Sequence, residues 1–388
     1  MESLFYKSNP WWEEDFQLNV IKRSHYLDEL ERYISNKDII FLTGLRRVGK
    51  TTLLKGVIDI LLREQKIDPR HIFYISLDLY ALEHLSIADI VTEYRKIHKL
   101  SASEMIYLFF DEVTAKTAYH QELKNLYDLG AVKIYASASS ASLLKDSQAY
   151  LTGRQRLVEV MPLSFDEYLQ FKNIVIKKSD FHLIEGYFEE YMKDGGMPEY
   201  VLTGDISYLS NLIDNIIYKD IIAHHKIKDE QIVKDFFKLL LERSGKQLSL
   251  NKMANILGIG VDTARRFQSY FEETYLIYTV EKEGKLNERI RNAKKIYAGD
   301  IGIRNLITGF RDKGAIFENL VYLKIKNRHP RYVYKNTIEI DFLTEEGVLI
   351  EVKYNSVLND NQAKLFTSYP CKERFVVDSA QAFNALLN

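Results

Sequence analysis

The stretch Gly44-Leu45-Arg46-Arg47-Val48-Gly49-Lys50-Thr51-Thr52 constrains this chain more than any other. It fits G-x-x-x-x-G-K-[ST], the pattern of a phosphate loop. The apolar run Ile39-Ile40-Phe41-Leu42 leads into it, and Leu53-Leu54-Lys55-Gly56-Val57-Ile58 carries on from it as a helix. Strand, glycine loop and helix in that order are the context the motif needs. Gly44 and Gly49 let the backbone curl so that the amides of the loop, from Gly44 through Leu45, Arg46, Arg47 and Val48 to Thr52, point at phosphate oxygens. Lys50 would reach the β and γ phosphates, and the Thr51 hydroxyl would hold magnesium. The helix that starts there adds the positive end of its dipole.

A second motif follows about sixty residues later. Ile106-Tyr107-Leu108-Phe109-Phe110 is an apolar run that ends in Asp111-Glu112, the pattern of a buried strand with a polar tip. Behind a phosphate loop, the first acid steadies magnesium and the second orients and activates water, which gives Asp111 and Glu112 those roles. By itself an acidic pair at a strand end reads more simply as a solvated tip.

Around these motifs the chain alternates strands and helices. Strands are expected at Ile72–Asp78, Val132–Ser139 and Leu157–Val160, and helices at His25–Ile34 (capped by Ser24), Ile87–Leu100 and Gln121–Leu129. That alternation predicts an α/β fold, a parallel sheet covered on both faces with its ligand at the carboxyl ends of the strands. Ser137 and Ser139 stand at one such end as candidates to sense the γ-phosphate, although a serine cap on the next helix explains them too. Arg154, in Gly153-Arg154-Gln155-Arg156, is a candidate to stabilise transition-state charge within one subunit or across an interface, or else a surface arginine. Arg23, before the phosphate loop, is a weaker candidate for the nucleotide base and reads more simply as an exposed arginine.

From Ser164 to about Lys228 the pattern is helical, broken once at Gly195-Gly196-Met197-Pro198, and reads as a lid. Glu230–Ser244, Leu250–Leu257 behind a Ser249 cap, and Val261–Phe271 are then three helices, with a strand at Leu276–Lys282. That order matches a winged helix-turn-helix. Arg265, Arg266 and Gln268 on its third helix suit DNA; such modules also serve purely for protein packing. Residues 285–335 hold thirteen Lys or Arg against four Asp or Glu, in a chain whose net charge is −1. This surplus is either a polyanion footprint or a face balanced in space by acids from elsewhere.

Near the C-terminus, Glu318 lies on an amphipathic helix from Phe317 to about Lys326. Strands at Tyr332–Tyr334, Thr337–Leu343 and Val348–Lys353 follow, carrying Asp341, Glu351 and Lys353. This spacing resembles the PD-(D/E)xK nuclease core, without the usual proline before the aspartate. Residues two apart share one face of a strand. Glu318, Asp341 and Glu351 could thus hold magnesium while Lys353 positions water, or Glu351 and Lys353 could simply form a salt bridge.

Composition narrows the rest. The length allows two to four domains, and 46% hydrophobic residues suffice for sizeable cores. Cys371 is the one cysteine, so a disulfide framework is excluded and a reducing, cytoplasmic setting is expected. Residues 1–16 contain Glu13, Glu14 and Asp15 and do not read as a signal peptide, and no stretch reads as a membrane span.

Taken with Asn9-Pro10-Trp11-Trp12, Arg46-Arg47-Val48, Pro162-Leu163-Ser164-Phe165, Gly195-Gly196-Met197-Pro198-Glu199 and Phe317 to Val321, these motifs resemble a family of archaeal and bacterial ATPases. That family belongs to the extended AAA+ class, is close to the signal-transducing ATPases with numerous domains, and carries a C-terminal winged-helix and nuclease-like region. The resemblance spans nearly the entire chain and implies ATP as the nucleotide; independently, no N-K-x-D guanine motif follows the loop. Expected domains are a P-loop core at 1–162, a helical lid at 163–228, a winged helix-turn-helix at 229–284 and a PD-(D/E)xK nuclease-like domain at 285–388. The expectation is an ATPase using ATP and Mg2+, coupled to DNA binding and metal-dependent cleavage. Its rival is a nucleotide-switched scaffold that binds partners and does not cut DNA. A third reading, a motor that moves DNA, requires a homo-oligomeric ring.

Overall fold

The computed structural model describes residues 1–139 and 151–386. The chain forms two compact units, Met1–Val160 and Met161–Asn388.

Among the described residues, five strands build the first unit: β1 (Ile39–Thr43), β2 (Ile72–Ser76), β3 (Ile106–Asp111), β4 (Val132–Ser137) and β5 (Gln155–Glu159). All pair in parallel in the order β2-β3-β4-β1-β5. β1 is buried along its whole length, as expected for a central parallel strand covered on both faces. Because β4 lies between β1 and β3, the phosphate loop after β1 and the acids after β3 both face the carboxyl end of β4.

The edge strand β2 has one ladder partner. Its outer backbone groups are met by the Asn9-Pro10-Trp11-Trp12 segment. The Asn9 side chain donates to the Tyr74 carbonyl (2.9 Å) and accepts from the Tyr74 N–H (2.6 Å). The Trp11 and Trp12 indoles donate to the Ile72 carbonyl at 3.2 and 3.0 Å. This cover blunts an edge that would otherwise be open to a foreign strand.

The second unit contains the helices expected between Ser164 and Lys228, but they do not form a separate layer. Helices Phe165–Phe171 and Ile184–Asp194 share one core with Phe317, Ile350 and Phe383. Phe188 meets Phe383 at 5.0 Å and Phe317 at 5.6 Å between ring centroids. The Gly195-Gly196 turn docks on helix Ile301–Thr308. The Asp300 carboxylate caps that helix at the Ile303 N–H (2.9 Å) and also accepts from the Gly196 N–H (2.8 Å). Gly302 permits the contact, because a Cβ there would lie 2.1 Å from the Asp194 carbonyl oxygen.

Helices Glu230–Glu242, Leu250–Leu257 and Val261–Glu273 follow, then β6 (Ile277–Val280), which pairs antiparallel with β7 (Lys295–Ala298). The last sheet holds β8 (Arg331–Lys335), β9 (Ile338–Leu343), β10 (Val348–Val352) and β11 (Glu373–Val377) in the order β11-β10-β9-β8. β8, β9 and β10 are antiparallel neighbours, and β11 runs parallel to β10. The expected divisions at 228/229 and 284/285 both fall inside this unit, and the β6–β7 pair crosses the second.

Candidate functional site

Gly44 (φ +127°) and Gly49 (φ +101°) take backbone conformations that suit glycine, and Arg47 (φ +64°) curls with them. A Cβ on Gly44 would also sit 2.3 Å from the Val160 carbonyl oxygen. Leu45 and Val48 are buried and anchor the loop. Lys50 donates to the Gly44 (2.8 Å) and Leu45 (3.0 Å) carbonyls, which hold its ammonium inside the loop. Thr51 and Thr52, in the first turn of helix Lys50–Arg63, are exposed.

The acids gather on the same end of the sheet. The Thr51 hydroxyl donates to Asp111 at 2.6 Å, across 60 residues of sequence. Tyr74 donates to the same carboxylate oxygen at 2.8 Å, and Ser137 donates to the other one. Ser137 in turn accepts from the Glu112 N–H (3.0 Å), and the Ser139 hydroxyl donates to the Glu112 carboxylate (2.6 Å). Ser137 therefore locks the two acids to each other. Glu112 has φ +50°, an uncommon conformation for a glutamate and one found at sites where strain serves placement. Burial, and next the Asp111 charge, push the Tyr74 hydroxyl well above its ordinary range, so it stays a donor. A threonine hydroxyl and a carboxylate oxygen are hard oxygen donors and fit magnesium. The helix for which Ser139 could be a cap lies outside the described residues.

Arg23 is placed differently from expectation, and Arg154 sits where the surface alternative puts it, away from the phosphates. Arg23 is buried, not exposed, and its guanidinium donates to the Val48 carbonyl at 3.0 Å, bracing the phosphate loop. Arg154 lies just before β5, and its carbonyl accepts from the Ile39 N–H at the start of β1. That is the amino end of a parallel sheet whose phosphate site is at the carboxyl end. Five strand residues at about 3.3 Å each separate the two ends, so Arg154 cannot reach the phosphates of its own subunit. It pairs with Asp128 at 3.4 Å. Sequence reasoning gave no site role to Tyr74 or Asn9; Tyr74 lies mid-strand in an apolar run, and Asn9 stood out only within the Asn9-Pro10-Trp11-Trp12 motif.

In the second unit, Arg265 and Arg266 are exposed on helix Val261–Glu273, with Arg265 paired to Asp262 at 2.9 Å and Arg266 bonded to Thr263 at 3.2 Å. Gln268 does not join them. It is half-buried, and its amide donates to Glu272 at 3.1 Å. The basic surplus of 285–335 is offset by acids from outside that stretch. Arg289 and Lys294 pair with Glu281, Arg331 with Glu283, Arg328 with Glu346, Lys313 with Glu189 and Arg311 with Glu242. These pairs offset part of the surplus.

Glu318, Asp341 and Glu351 do converge, but with Lys295 among them. The Lys295 ammonium lies 2.7 Å from Glu318, 2.7 Å from Glu339 and 3.4 Å from Asp341. Tyr297 also donates to Glu318 at 2.7 Å. Lys353 pairs with Glu351 at 2.7 Å, the simple salt bridge that Glu-x-Lys spacing allows. Burial, then repulsion by Asp341, pushes both Glu318 and Glu351 above the usual carboxylate range. Burial alone would lower the Lys295 ammonium, but the charges led by Glu318 hold it well above its ordinary range. Among the described residues no three His, Cys, Asp or Glu side chains stand together as a metal ligand set. The donors present do not fit a divalent ion, because a fixed cation already sits between them. Lys295 was invisible beforehand, since a lysine on a separate strand has no spacing signature, whereas Glu339 lies two residues before Asp341 on the same strand face.

The first unit is an AAA-type P-loop ATPase domain, and a family model described as an AAA domain matches residues 36–169. A second, described as a domain of unknown function (DUF8612), matches residues 185–314. The chain is 30% identical over 362 residues to an uncharacterized protein of Methanocaldococcus jannaschii, covering 87% of this chain and 79% of that one. It belongs to the same family as that protein. It is also 26% identical over 375 residues to an uncharacterized protein of Haemophilus influenzae, covering 90% and 92% of the two chains. Among solved structures it is similar to AMPPCP-bound DnaA from Aquifex aeolicus at 19% identity, covering 69% of this chain and 92% of that one; the TM-score of 0.29 is too low to define a shared fold. Among the described residues no helix is long and apolar enough to cross a membrane.

Proposed function

We propose that the protein binds ATP with magnesium at the phosphate loop and hydrolyses it, and that its second unit contacts DNA without cutting it. The observation that carries the first part is the Thr51–Asp111 hydrogen bond of 2.6 Å with Ser137 bridging Asp111 to Glu112. Lys50 leaves the Gly44 and Leu45 carbonyls to meet the β and γ phosphates. Thr51 and Asp111 are the residues that would hold magnesium, which supplies charge neutralisation on the phosphate oxygens. Glu112, fixed through its backbone by Ser137, orients and deprotonates the attacking water. Lys50→Ala should remove ATP turnover, measured as phosphate release; an unchanged rate would overturn the assignment.

DNA contact rests on the two exposed arginines of helix Val261–Glu273. Their partners are surface groups on the same helix, and such pairs contribute little, so phosphate oxygens can displace them. The second unit does not cleave DNA, because Lys295 fills the centre that Glu318, Glu339 and Asp341 build. If no DNA binds at low salt, the switched scaffold becomes the better reading.

A further inference from the structure

The carboxylate centre of the second unit is built around an internal cation. Lys295 projects from β7, Glu318 from helix Lys313–Ile325, and Glu339 and Asp341 from β9. The Lys295 side chain is 1% exposed, so water does not solvate its charge. A buried ammonium is stable only when paired and hydrogen-bonded, and this one has three carboxylate partners. The carboxylates are fixed in turn. Asp341 accepts from the Val352 N–H (2.9 Å), Glu351 from the Asp341 N–H (3.2 Å) and Glu339 from Gln247 (3.0 Å).

We propose that Lys295 is the resident counter-cation of this centre and excludes a divalent metal from it, so that the nuclease-like sheet is a metal-free scaffold in the native protein. A divalent ion needs several oxygens at about 2.0–2.6 Å around one point. Here the Lys295 ammonium takes hydrogen-bond distances to the same oxygens, and two like cations cannot share them. Removing the ammonium leaves Glu318, Glu339 and Asp341 without that counter-charge around a space the size of a lysine head group. A hard divalent ion then becomes the group that compensates them.

The test counts Mn2+ bound to the full chain, without nucleotide, by electron paramagnetic resonance. Wild type and Asp341→Asn should bind the same number of ions. Lys295→Met should bind one more, and added Mn2+ should raise its melting temperature. Lys295→Met/Asp341→Asn should lose both effects. A wild-type protein that binds one ion more than Asp341→Asn would overturn the proposal, whether or not Lys295→Met folds. So would a folded Lys295→Met that gains none. ATP turnover is a separate readout that depends on Lys50, so failure of the ATPase reading is distinguishable from failure here.

Discussion

Replacing Asn9 by alanine tests how the catalytic end of the first unit is held. Asn9 is fully buried. Its side chain stands in for a missing neighbouring strand, satisfying both backbone groups of Tyr74 at 2.9 and 2.6 Å. It also donates to the Phe5 carbonyl at 2.8 Å, but that carbonyl keeps the Asn9 backbone N–H at 3.0 Å. The Asn9→Ala variant therefore orphans two buried backbone groups. Each costs about 1–3 kcal/mol when left unpaired, or roughly 2–6 kcal/mol together. For a unit of 160 residues, where 1 kcal/mol moves Tm by about 2–4 °C, the melting transition of the first unit should fall by roughly 4–24 °C. Calorimetry on the full chain reads this directly. Hydrogen exchange at the Tyr74 amide should accelerate with it. ATP turnover should also drop, because Tyr74 carries a hydroxyl that positions Asp111. Asn9→Asp keeps the acceptor and loses the donor, so it should fall short of full rescue. A Tm change under about 1 °C with unchanged Tyr74 exchange would refute the reasoning.

Two further outcomes follow from the second unit. Burial raises the Asp300 carboxyl to about 6, against the N–H groups of Gly196, Ile303 and Gly302 that favour its charge. The folded state thus holds this proton where the unfolded state has released it, and stability falls as pH rises from about 4 to about 6, by roughly 3 kcal/mol from this group. Urea unfolding of wild type against Asp300→Asn should show that fall in the wild type and lose it in the variant; parallel pH profiles would sink the idea. If Arg265 and Arg266 touch phosphates, replacing both by alanine should weaken DNA binding and flatten the dependence of log K on log salt by about two. An unchanged slope would remove that helix from the interface.

Local pattern was enough for the phosphate loop, the Asp111-Glu112 strand tip and the alternation of strands and helices. Those features depend on neighbours within a few residues, where backbone sterics and hydrophobic periodicity act directly. Even the convergence of Thr51 and Asp111 was foreseeable, since parallel strands put their carboxyl ends on one side. Arg154 shows the limit. Its sequence context suits an arginine near phosphates, but the direction of β5 places it at the opposite end of the sheet. The surplus of positive charge in 285–335 looked like a footprint partly because the window stops short of Glu281, Glu283 and Glu346, and partly because Glu189 and Glu242 are remote in sequence. The Asp341, Glu351 and Lys353 spacing was readable as a possible metal site, and no pattern signalled Lys295. A one-dimensional motif records which side chains share a strand face. It cannot record a cation delivered from another hairpin, and in a buried centre that cation decides the chemistry, because charge out of water must be compensated by whatever the tertiary fold brings beside it.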